Sequence, residues 1–87
     1  MANLISTQAM EKWGEESQRN KAAEELGELV TALMRFANGR GTKHDVVTEI
    51  ADCYIMLDQL RHMFGERDVD KELICKTVRL MERIAND

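Results

Sequence analysis

Apolar residues along this chain recur every three or four positions, the period of an α-helix packed along one face. Leu26, Leu29, Val30, Leu33, Phe36 and Ala37 form one such stripe. Val46, Val47, Ile50, Tyr54, Leu57, Leu60 and Phe64 form a second. Leu73, Ile74, Val78, Leu80, Met81 and Ile84 form a third. No stretch of useful length alternates as a strand does, and there is no proline to interrupt a helix. Four helices are predicted. The first is short, is capped at Ser6 or Thr7 and carries Met10 and Trp13; Gly14 then breaks it. The second runs from Glu15 or Ser17 to Ala37 and stops at Asn38-Gly39-Arg40-Gly41. Thr42 is the predicted N-cap of the third, with Asp45 in its first turn, and Gly65 ends it after Phe64. Asp68 is the expected cap of the last.

The loop between the two long helices is short, so they should pair as an antiparallel hairpin. The expected fold is all-α: a helical bundle built on that hairpin, with shorter terminal helices, as a single domain over residues 1–87. A chain of 87 residues buries a limited share of its surface, yet 44% of its residues are hydrophobic. Completion of the core by oligomerisation, as a dimer or tetramer, is the expected resolution. The six methionines read as adaptable core filler.

Charge narrows the functional classes. The net charge of −4 argues against a nucleic-acid binder, which shows a basic face. No apolar run approaches the ~18 residues of a membrane span, and the amino-terminal residues do not resemble a signal peptide. Cys53 and Cys75 form no CxxC pair and have no histidine at zinc spacing, so they read as reduced thiols. The expectation is a soluble cytoplasmic protein.

Two acidic motifs stand out: Glu25-Leu-Gly-Glu28 and Glu49-Ile-Ala-Asp52. Residues three apart share a helix face. Each pair falls on one flank of its helix's apolar stripe, so packing the stripes should bring four carboxylates to one edge of the interface. Like charges ~6 Å apart at an effective dielectric of ~20 repel by roughly 3 kcal/mol per pair. A hard divalent cation among them would turn that repulsion into attraction, and Mg²⁺ or Mn²⁺ suits an all-oxygen set. A di-iron site would need Glu-x-x-His, and neither His44 nor His62 lies three residues after a Glu. The competing reading is two solvated acid pairs.

Lys21-Ala-Ala-Glu24-Glu25-Leu-Gly-Glu28, followed by Glu49-Ile-Ala-Asp52, resembles the KxxEExxE…ExxD signature of the MazG-like all-α nucleoside triphosphate pyrophosphohydrolases. Trp13-Gly-Glu-Glu-Ser-Gln and the stretch from Glu49 to Leu60 resemble the short phage and prophage members. The resemblance spans about Trp13 to Leu60. It implies a helical bundle of at least two subunits that uses Mg²⁺ to hydrolyse nucleoside or deoxynucleoside triphosphates to the monophosphate and pyrophosphate. It implies Glu25, Glu28, Glu49 and Asp52 as metal ligands. It also implies Glu24, with Glu25, as the acids that orient or deprotonate water, and Lys21 as a phosphate contact. Gln59 stands where larger members carry a nucleotide-contacting Asn.

Other readings stay open beside these. Lys21 could simply pair with Glu25. Trp13 could stack on a base or serve a core or interface. Arg61, charged near the middle of the third helix's stripe, could pair with Asp58 or hold an anion. A phosphoribosyl-ATP pyrophosphatase would show a Tyr-His pair after Asp52, where this chain has Cys53-Tyr54-Ile55-Met56. A non-catalytic helical assembly or regulatory module would use the stripes to bind partner helices and the acids only in salt bridges.

Overall fold

Glycine and threonine punctuate the chain into its helices. The computed structural model describes residues 2–87 and contains α1 (Ala2–Trp13), α2 (Glu15–Ala37), α3 (Lys43–Phe64) and α4 (Glu66–Asn86). Among the described residues there is no strand. The all-α expectation holds, and none of these helices is long and apolar enough to cross a membrane. Thr42 caps α3 as the sequence suggests. Its hydroxyl accepts from the Asp45 amide at 3.1 Å, and its own amide donates to Asp45 Oδ2 at 3.0 Å. Two terminal boundaries differ from expectation. α1 begins before Ser6, which lies inside the helix, is buried, and donates its hydroxyl proton to Asp58 of α3. α4 begins at Glu66 rather than after Asp68, so Gly65 alone separates α3 from α4. At 21 residues α4 is shorter than the hairpin helices by only one or two residues.

α2 and α3 form the antiparallel hairpin, and α1 lies against both. The hairpin does not close through the predicted stripes. Gln18, Ala22, Glu25 and Ala32 are buried on α2, with Leu29 half-buried between them. Val46, Glu49, Cys53, Met56 and Leu60 are the corresponding inward or half-buried positions of α3. Both sets step by three and four residues, the spacing of knobs meeting holes along a helix pair. This seam is narrow and built of small, polar and flexible side chains. Leu26, Val30 and Leu33 on α2, and Ile50, Tyr54 and Leu57 on α3, point away from it and stay exposed. Of the predicted stripes, only Leu29, Val46 and Leu60 turn inward even partly.

α4 touches only α3, and none of its residues is buried. Arg61 fixes its exit. The guanidinium donates through Nε and Nη2 to the two Asp70 oxygens at 2.8 and 2.7 Å, and through Nη1 to Glu66 at 3.3 Å. This fork-to-fork geometry adds direction as well as attraction. It accounts for a charge on an apolar stripe: Arg61 is held by α4, not by Asp58 as the sequence suggested.

The one-residue joint at Gly65 has φ +113°, a conformation L-residues rarely adopt. A Cβ there would also meet Asp68 Oδ2 at 3.3 Å. Gly65→Ala should therefore destabilise the fold by about 1–3 kcal/mol. Urea unfolding followed by circular dichroism checks this, and an unchanged midpoint would refute the strained joint.

Candidate metal centre

The narrow seam has a direct chemical consequence. Because α2 turns its Ala22–Glu25–Leu29 side inward and α3 its Val46–Glu49–Cys53 side, one glutamate from each helix lies at the packing interface itself. The sequence had placed these acids on the flanks. Glu25 is 8% exposed and Glu49 is half-buried. Asp52, one turn beyond Glu49, joins them from the exposed edge. One oxygen from each of Glu25, Glu49 and Asp52 lies within 4.8 Å of the others. At that separation and an effective dielectric of ~20, Glu25 and Glu49 alone repel by roughly 3 kcal/mol.

Little in the protein offsets this. Lys21 Nζ sits 3.1 Å from Glu25 Oε1 on the same helix, the local pair that the sequence allowed. Glu25 Oε2 and Glu49 Oε2 are shut off from solvent and have no hydrogen-bond partner. Buried acceptors are ordinarily satisfied, and an orphaned carboxylate oxygen is costly. A divalent cation would satisfy both at once. The donor set is all oxygen and suits Mg²⁺ or Mn²⁺. Cys53 does not add a sulfur ligand. Its thiol donates to the Glu25 carbonyl oxygen at 3.4 Å, and burial, followed by the surrounding carboxylates, pushes its pKa up.

Glu28 is exposed at the rim and lies outside the close triplet. Even so, it feels the cluster: the Glu25 charge, then burial, then Glu49 raise its pKa above the usual 4.5. Glu24 is exposed. It lines a cleft of about 1000 Å³ with Trp13, Ser17, Asn20 and Lys21. Trp13 is 58% exposed there, and Lys12 Nζ lies 5.3 Å from its ring centre. Trp13, Lys21 and Glu24 thus share one opening beside the acids, and Trp13 is not a core residue.

Two of the sequence-predicted contacts are not brought to this opening. Gln59 is 3% exposed; its amide nitrogen reaches only Met56 Sδ at 3.9 Å, and its oxygen is unpartnered. It lines neither hollow beside the acids, because it faces inward on α3. Arg61 is committed to Asp70 and Glu66. Sequence reading missed a second hollow of about 300 Å³, lined by Glu28, Glu49, Thr31, Arg35, Gly41 and Thr48 among others. Arg35 forms no ion pair among the described residues. Its signal was present: it lies seven residues after Glu28, two turns along the same face. Between the two hollows the order along α2 is Lys21 and Glu24, then Glu25, then Glu28 and Arg35.

Comparison with protein-family models, curated proteins and solved structures returned no match.

Two outcomes test the centre. Metal at about 100 times its dissociation constant should stabilise the fold by ~2.7 kcal/mol. That raises the melting temperature by roughly 15 °C for a domain of this size. Glu49→Gln should melt higher than the parent without metal, because a repulsion is gone, and should lose the metal response. A variant that is less stable without metal and still responds would refute the site. The raised Glu28 value sets a pH signature. In metal-free protein its carboxyl favours folding while protonated, and that contribution is lost as pH rises through the folded value, above 4.5. Over that range the melting temperature of Glu28→Gln should gain on the parent. A constant difference would refute the coupling.

Proposed function

We propose that this chain is a divalent-metal-dependent nucleotide pyrophosphohydrolase, cleaving nucleoside or deoxynucleoside triphosphates to the monophosphate and pyrophosphate. The observation that carries the reading is the meeting of Glu25, Glu49 and Asp52, with two buried oxygens left unpartnered. The KxxEExxE…ExxD pattern that resembles the MazG-like enzymes supports it, as does the all-α hairpin carrying that pattern. In this reading Glu25, Glu49 and Asp52 hold Mg²⁺, or Mn²⁺, with Glu28 available at the rim. When bound, the cation neutralises phosphate oxygens and makes water a better nucleophile.

The remaining roles belong to the chain's own side chains. Glu24 faces the larger cleft, where its carboxylate accepts a proton from the attacking water and aligns it with the α-phosphorus. Lys21 is divided between Glu25 and the substrate: its ammonium is half exposed and can pass from the carboxylate to a phosphate oxygen. Trp13 offers an open ring face for a base, an interaction worth about 1–3 kcal/mol in other nucleic-acid grooves. Gln59 and Arg61 take no part in substrate contact. The electrostatics favour this division. A polyphosphate is repelled by the bare acids and attracted once they are neutralised, so substrate binding follows metal binding.

A non-catalytic helical assembly draws on the exposed apolar stripes but leaves the acid crowding in the seam without a purpose. The test is a panel of NTPs and dNTPs with Mg²⁺, assayed for pyrophosphate. Glu25→Gln and Asp52→Asn should each lower turnover by about two orders of magnitude or more, ~2.7 kcal/mol in the barrier, while helicity is retained. Orthophosphate as the direct product would move the cleavage site and overturn the reaction. Normal turnover by either variant would overturn the residue assignment.

A further inference from the structure

The larger cleft has a buried floor. Gln18 is 7% exposed and Met56 is 5% exposed, and both line the opening that Trp13 and Glu24 share. The Gln18 amide has no hydrogen-bond partner among the described residues, yet unlike the Gln59 oxygen it is not sealed from solvent. The little of Gln18 that is exposed opens into the cleft. A side-chain amide this deep is ordinarily bonded within the protein. Here its acceptor oxygen and its donor nitrogen are both left for whatever enters.

The local backbone holds this amide beside the tryptophan. Gly14 joins α1 to α2 at φ +87°, a conformation that favours glycine. Its amide donates to the Met10 carbonyl at 2.8 Å, and its carbonyl accepts from the Gln18 backbone amide at 3.1 Å. An open aromatic ring and an unpaired amide are thus set on either side of one glycine. Gln18, Lys21 and Glu25 then follow along one face of α2, at i, i+3 and i+7. Gln18 and Glu25 stand ~10.5 Å apart along the axis. That spacing is comparable with the span of a nucleoside from its base edge to its α-phosphate.

We propose that Gln18 reads the pairing edge of the nucleotide base, and that the cleft takes cytosine or adenine ahead of uracil or thymine. The inference rests on the nucleotide reading of the site and deepens it by naming the class of base. An amide alone does not choose, because by turning over it matches an amino edge or a keto edge. Its surroundings choose. Glu15, Glu16 and Glu24 line the same cleft, and a carboxylate only accepts. A keto oxygen brought to Gln18 would lie among acceptors. An exocyclic amino group donates one N–H to Gln18 Oε1 and keeps a second for a carboxylate. Gln18 Nε2 then donates to the adjacent ring nitrogen, giving two parallel bonds to a base stacked on Trp13. Cytosine and adenine carry this donor and acceptor side by side; uracil and thymine carry the reverse.

Trp13 is the single tryptophan, so its fluorescence reports directly on the cleft. The full chain in Mg²⁺ is titrated with dCMP and with dUMP, which differ at the pairing edge. The dCMP complex should be at least about tenfold tighter, the discrimination expected of one bidentate pair. In Gln18→Met the two affinities should fall within about threefold of each other, through weaker dCMP binding. Should that variant fail to fold, the parent is titrated with the deoxynucleotide of pyrimidin-2-one, in which hydrogen replaces the amino group; it should bind about tenfold more weakly than dCMP. Equal affinities, a preference for dUMP or no quenching by either would overturn the proposal. So would selectivity that survives in Gln18→Met, or an undiminished affinity for the pyrimidin-2-one nucleotide. Base-selective quenching in a protein that releases no pyrophosphate would uphold this inference and overturn the hydrolysis alone. Pyrophosphate release without base selectivity would do the opposite.

Discussion

Glu25 and Glu49 face each other across a helix seam too narrow to keep them apart. Every other feature of the centre follows from that crowding. Small residues at Ala22 and Ala32, and a slim Cys53, let the two backbones approach. Close approach then forces the intervening acids inward, where water cannot reach two of their oxygens. Repulsion at this separation is a sizeable fraction of the stability of a small domain. In the proposed function a cation held there would convert that repulsion into cohesion at the place where substrate is held.

The rest of the fold is arranged around this hairpin and leaves it half dressed. α1 covers one side and opens the cleft with Trp13, Lys21 and Glu24. The leucines of the hairpin's outer face stay in solvent, as does Tyr54, which lines a hollow with Ile5 and Ser6 of α1. The radius of gyration, 15.6 Å, exceeds the ~12 Å of a compact chain of this length, because α4 stands off the body. Acid centre and apolar face therefore occupy different sides of one helix pair.

The helices were legible because their ends are marked chemically. Gly14, the Asn38–Gly41 loop, Thr42 and Gly65 leave few alternatives for where each helix stops. The face that packs was not legible. Hydrophobic periodicity identifies the side of a helix that should leave water, but not whether its own chain covers it. The seam is made of Gln18, Ala22, Glu25 and Ala32, whose shared property is their three-and-four spacing rather than their apolarity. The acids were visible as a pair of motifs, yet their depth was not, since it depends on that seam. Arg61 was flagged by its place on a stripe. Its partner, Asp70, could be found only once the joint at Gly65 set the first turns of α4 beside the end of α3. Ser6 was read as a cap because serine favours helix starts, but here its hydroxyl serves a tertiary contact with Asp58.

The most direct measurement is anomalous diffraction from crystals of the full chain soaked in Mn²⁺. The account predicts a peak bonded to carboxylate oxygens of Glu25, Glu49 and Asp52 together, at about 2.0–2.3 Å. Manganese bound elsewhere on the molecule, with Glu25 and Glu49 still unliganded in the seam, would contradict it.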